Sequence, residues 1–141
     1  MADEALDRAL ITDLLARYSW ALADRDWETW KAVFTDDASV DYSTAGGPVG
    51  TPAQAAETFA GMMAMFDLNV SSGGTVVIDF TDANTARTRS GYTMMMRIPG
   101  ADGAQPTCMQ AQGYYNDTIV RTSAGWRIRN RFEQLLYVKP A

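Results

Sequence analysis

A chain of 141 residues with 47% apolar and 21% charged residues has the size and composition of one folded domain with a single core. Its net charge of −5 excludes the basic surface that nucleic acid or an anionic membrane needs as a main partner. The chain contains no histidine, which removes the usual general base near neutral pH, the Ser-His and Cys-His nucleophile systems and the commonest zinc ligand.

The first segment, from about Asp3 to Leu22, reads as an amphipathic helix with Leu6, Leu10, Leu14, Tyr18 and Leu22 four residues apart. The polar cluster Asp24-Arg25-Asp26 ends it. Asp26 then suits the N-cap of a short second helix that carries Trp27, Trp30, Val33 and Phe34. Val40 and Tyr42 alternate with Ser39, Asp41 and Ser43 as in a strand. Thr51-Pro52-Ala53-Gln54 supplies an N-cap, a first-turn proline and a capping-box glutamine for a third helix that runs to about Phe66.

From Asn69 onward the apolar period changes to two. A long strand is expected over Thr85–Ile98, with Ala86, Thr88, Ser90, Tyr92, Met94 and Met96 on one face. Two more strands follow, Thr107–Thr122 and Trp126–Val138. In the first of these, one face carries Cys108, Gln110, Gln112 and Tyr114 and the other Met109, Ala111, Gly113 and Tyr115; the sequence does not choose between them. In the second, strict alternation sets Trp126, Ile128, Asn130 and Phe132 against Arg127, Arg129, Arg131 and Glu133. The arginine row then reads as a solvated face or a sheet–sheet dimer contact. Helices first and antiparallel strands after make an α+β plan, a cone-shaped barrel with three helices on a strongly curved antiparallel sheet and an apolar interior.

The segment ITDLLARYSWALADRDWETWKAVFTDDASVDY resembles the start of SnoaL-like domains of the nuclear transport factor 2-like superfamily, and GYYNDTIVRTSAGWRIRNR resembles their last two strands. The resemblance implies one domain over residues 1–141 and a pocket for a small hydrophobic molecule. In its scytalone dehydratase-like branch it further implies an aspartate three residues before the Asp-Trp pair, a histidine before the strand that starts here near SSGGTVVIDF, and tyrosines holding a substrate oxygen through water. Those positions here hold Ala23, the run Asn69–Ser72, and the tyrosines Tyr18 and Tyr42.

Tyr18 and Tyr42 are therefore the expected catalytic phenols, two donors able to converge on one oxygen. Asp24, one residue past Ala23, is the candidate base. Trp30, Phe34, Met62, Phe66, Met94 and Met96 are expected to line the pocket, methionine being suited to irregular apolar space. Asn130 is the polar member of an otherwise apolar strand face, bonded to the backbone of a neighbouring strand or to a ligand inside the cone. No cofactor or metal motif is present, since neither glycine-rich stretch has phosphate-loop spacing. The expected activity is a cofactor-free dehydration, isomerisation or cyclisation of a polyketide, terpenoid or steroid-like molecule. The alternative is a non-catalytic binding or assembly protein of the same fold. A homodimer is expected through the sheet. The lone Cys108, the absence of a run near the roughly 18 apolar residues of a membrane span and the acidic N-terminus fit a cytoplasmic protein.

Overall fold

The structure of the protein is a computed structural model that describes residues 3–141; residues 1 and 2 of the expected domain lie outside it. Helix α1 (Glu4–Asp24) is capped by Asp3, whose side chain accepts from the Leu6 amide. Its buried face is Asp7, Ile11, Leu14, Tyr18, Ala21 and Leu22, whereas Leu6 and Leu10 are exposed. A strict four-residue step overshoots each helical turn by about 40°. The N-terminal part of the expected leucine stripe therefore swings out to solvent, and Asp7 swings in. Asp7 tolerates burial because Arg121 donates to both of its oxygens (3.0 and 2.7 Å) and Trp126 Nε1 donates at 2.9 Å. That contact ties the start of α1 to the last two strands.

Arg25 closes α1 in a left-handed conformation (φ 56°), returning its N–H to the carbonyls of Ala21 and Leu22. Asp26 then caps helix α2 (Trp27–Ala32), accepting from the Thr29 amide and hydroxyl. Strand β1 (Phe34–Asp41) and the short β2 (Val49–Gly50) lead to α3 (Pro52–Met63), which starts with the expected Thr51–Gln54 capping box. The long strands β3 (Leu68–Asp82), β4 (Thr85–Ile98), β5 (Thr107–Thr122) and β6 (Gly125–Pro140) complete the chain.

The strand order is β2-β1-β6-β5-β4-β3. The sheet is α+β in class but not the antiparallel barrel expected. Strand β1 lies parallel to β6, and the edge strands β2 and β3 do not pair, so the sheet is mixed and open. The reason is topological. No tight turn joins β1 to β6; the chain leaves β1 through β2 and α3, starts again at the far edge, and returns by three hairpins.

The decisive irregularity is in β6. Thr118 pairs with Asn130, but the next residue, Ile119, pairs with Ile128. Arg129 is therefore extra, a β-bulge that reverses which side chains point inward. Trp126 and Ile128 are buried before it; Arg131 and Glu133 are buried after it, while Asn130 and Phe132 face solvent. A second extra residue, Leu136, falls between the pairs Gln112–Tyr137 and Gly113–Leu135. The expected face Trp126-Ile128-Asn130-Phe132 is thus correct for two residues and inverted for the next two.

Trp30 is fully buried and packs on Tyr18, Phe34 and Phe59 with ring centroids 5.7, 4.9 and 5.8 Å away. Trp30→Ala should cost about 3–5 kcal/mol in urea melts. Asp24→Ala, at an exposed position, should stay within about 0.5 kcal/mol of the parent.

Candidate functional site

The concave side of the sheet, closed by α1 and α3, holds two chambers that share the rings of Tyr18, Tyr92 and Tyr115. The first, of about 240 Å³, is the methionine chamber, walled by Met62, Met63, Phe66, Met94, Met96 and Met109. The second, of about 410 Å³, lies between α1 and β3; Ala16, Ala23, Ser71, Ser72, Gly73 and Gly74 line it. Ala23, to which the family resemblance assigns an aspartate, and Val70, Ser71 and Ser72, three of the four positions to which it assigns a histidine, thus meet in one chamber.

Tyr18 and Tyr42 converge in the methionine chamber. Tyr18 comes from the buried face of α1 and Tyr42 from the end of β1, and their hydroxyls lie 2.8 Å apart. One O–H is consumed between them, which leaves the pair one hydroxyl hydrogen to donate. Burial, then the neighbouring Tyr18, raises the Tyr42 phenol well above its ordinary value, so that phenol stays protonated and neutral.

Of the expected pocket residues, Met62, Phe66, Met94 and Met96 line this chamber with the two tyrosines. Trp30 and Phe34 do not; they form the packed layer behind Tyr18. Asp24 is exposed at the end of α1 and lines neither chamber, so it is no base for chemistry inside. Asn130 is exposed and donates to the Ser39 side chain (Oγ, 2.7 Å) on the outer face, so it meets neither a strand backbone nor a ligand in the cone, because the bulge in β6 turns it outward.

The carboxylate in the methionine chamber is Glu133. It is 6% exposed, and burial raises its pKa from 4.5 to about 7, although a hydrogen bond from Tyr92 and the nearby Arg131 pull the other way. Tyr92 reaches it because its strand neighbour is Gly113: a Cβ there would stand 2.7 Å from the Tyr92 hydroxyl. Burial and Glu133 together push the Tyr92 phenol far up, so Tyr92 is a fixed donor.

Beneath the tyrosines lies a buried ion pair. Arg131 donates from Nε and Nη2 to the two oxygens of Asp117 (2.8 and 2.7 Å), and both side chains are at most 1% exposed. The guanidinium lies 4.0 Å from the centre of the Tyr18 ring and 3.9 Å from that of the Tyr115 ring, in the corner that the two rings make with each other. Burial opposes its charge, but Asp117, Tyr18 and Tyr42 together outweigh burial and keep Arg131 protonated.

Sequence reasoning missed Glu133, Arg131 and Asp117. Asp117 carried the available signal. It continues the face Ala111, Gly113, Tyr115, and an acid buried on an apolar face demands a cation from the neighbouring strand. Placing Arg131 there requires the bulge.

With this geometry in view, comparison with known proteins is informative. The SnoaL-like domain family matches residues 3–132. The chain belongs to that family. The uncharacterized protein Rv2910c of Mycobacterium tuberculosis is 30% identical over 136 residues, covering 96% of this chain and 90% of its own. Three solved structures share the fold. Protein Kfla4162 of Kribbella flavida has a TM-score of 0.84 at 22% identity, covering 97% of this chain and 95% of that one. A candidate scytalone dehydratase from Novosphingobium aromaticivorans has 0.83 at 22%, covering 98% and 89%. The hexachlorocyclohexane dehydrochlorinase LinA-type3 of Novosphingobium barchaimii has 0.82 at 15%, covering 98% and 92%.

A glutamate whose folded pKa is raised favours the folded state most when it is protonated. Its contribution is complete below pH 4.5 and is lost as pH rises through about 7. Asp7, Asp26 and Asp41, all held below their ordinary values, are ionised across this window and do not vary. Between pH 5 and 8 the parent should therefore lose about 2–3 kcal/mol relative to Glu133→Gln in urea melts.

Proposed function

We propose that this protein is a cofactor-free enzyme that moves a proton on a small, largely apolar molecule, in a dehydration, isomerisation or cyclisation, with Glu133 as the acid–base group. The observation that carries this reading is a carboxylate buried in an apolar chamber beside a tyrosine pair with one hydroxyl hydrogen to give. A pKa near working pH lets one group take a proton and return it. Tyr92 orients the carboxylate. The free hydroxyl of the Tyr18–Tyr42 pair donates to a substrate oxygen and stabilises charge that develops there.

In a dehydration, Glu133 takes a proton from carbon. The C–H electron pair becomes the new double bond, and the neighbouring C–O bond breaks. The departing hydroxide takes up the proton that Glu133 removed from carbon and leaves as water. In an isomerisation, the same carboxylic acid returns its proton to another carbon of the same molecule. The small, apolar, partly methionine-walled space supports polyketide, terpenoid or steroid-like substrates. The shared fold of a candidate dehydratase and dehydrochlorinases supports elimination chemistry on this scaffold.

Deuterium exchange into an enolisable ring ketone such as 2-tetralone, followed by NMR, tests the reading without knowledge of the natural substrate. Exchange catalysed by the parent should rise with pH through about 7. Glu133→Gln should lower it about 100- to 10,000-fold, and Tyr42→Phe about 100-fold. Parent exchange no faster than buffer at every pH would sink the proposal.

A further inference from the structure

The α1–β3 chamber has a floor that the proposed chemistry does not use. Arg131 lines this chamber, and Asp117 does not. The edge of the guanidinium that carries Nε and Nη2 is turned to Asp117, and the rings of Tyr18 and Tyr115 lie against it from two adjacent sides. What remains is Nη1, and it has no hydrogen-bond partner. A charged N–H group buried without an acceptor is among the costlier defects a folded protein carries. An acceptor arriving from the chamber removes that cost.

We infer that the α1–β3 chamber binds the carbonyl end of an apolar molecule, whose uncharged oxygen accepts a hydrogen bond from Arg131 Nη1. Nη1 is sealed from water, so the side chains around it shift to admit that oxygen. The choice of an uncharged oxygen follows from the local charge. Asp117 already cancels the charge of Arg131. The next acid, Glu133, stands two residues along the same inward face of β6, about 7 Å away at the backbone. A carboxylate entering here would be desolvated with no cation of its own and would face Glu133. A ketone, enone or quinone oxygen needs no counter-charge. The rest of the chamber suits a flat apolar body, because Ala16, Ala23, Gly73, Gly74 and Gly91 keep its walls low.

This inference rests on the proposed reading only in taking the interior as a substrate site. The test uses 2-tetralone, the hydrocarbon tetralin and the anion tetralin-2-carboxylate, titrated calorimetrically into the full chain at pH 8. The ketone should bind roughly tenfold or more tightly than tetralin, the carboxylate no more tightly than tetralin, and the carbonyl carbon of bound ¹³C-labelled ketone should shift downfield. The double variant Asp117→Leu/Arg131→Met replaces the ion pair by apolar side chains, a change that folded proteins often accept. It should lose most of the ketone's advantage over the hydrocarbon and keep only what the Tyr18–Tyr42 hydroxyl supplies. Arg131→Lys, which keeps the pair with Asp117 but loses the second donor end, should do the same. Equal affinities in the parent, no saturable ketone binding, tighter binding of the carboxylate, or a preference undiminished in both variants would each overturn the inference. Glu133→Gln should keep the ketone preference while losing deuterium exchange. Preference without exchange in the parent therefore defeats the catalytic proposal alone, and exchange without preference defeats this one alone.

Discussion

One extra residue in the last strand governs the interior of this protein. Arg129 bulges out of the β5–β6 ladder, and the side chains that follow change sides. Without the bulge, Arg131 and Glu133 would be solvated and Asn130 and Phe132 would fill the cone. With it, a guanidinium and a carboxylate stand two residues apart on the buried face, next to four tyrosines. The chemistry proposed for the molecule depends on that inversion of parity more than on any single side chain.

The price of this arrangement is electrostatic. Both Arg131 and Asp117 have left water, and a well-packed apolar pair of the same size is often as stable or more so. The pair is bidentate and close to a glutamate that burial would rather keep neutral. A fold that needed only stability would gain from removing all three charges. Their location between two chambers accounts for them as parts of a site: Arg131 offers a donor on one side, and Glu133 an acid–base group on the other.

Local signals in the sequence carried much of the fold. Asp26 and Thr51 cap helices where their neighbours say they should, and the Thr85–Ile98 strand turns Ala86, Thr88, Ser90 and Tyr92 inward as its alternation implies. Tyr18, Tyr42 and the methionines were legible as interior residues because they lie on faces whose period holds. The failures have specific causes. The parallel pairing of β1 with β6 depends on a crossover that no local pattern encodes. Trp30 and Phe34 were read as pocket walls, but whether a large aromatic side chain borders a void or fills one is decided by packing between elements. Asp24 has the right chemistry at the wrong angle, on the solvent side of a helix end. The bulge at Arg129 leaves no local mark, and only the cross-strand demand of Asp117 for a cation pointed to it.

The central claim is that Glu133 is an interior carboxylate that exchanges its proton near neutral pH. The direct measurement is a ¹³C NMR titration of the side-chain carboxyl carbons, with the Glu133 resonance assigned by its disappearance in Glu133→Gln. The account predicts a midpoint near 7. A midpoint near 4.5, the ordinary glutamate value, would mean a solvated side chain and would contradict both the inward turn of β6 and the role built on it.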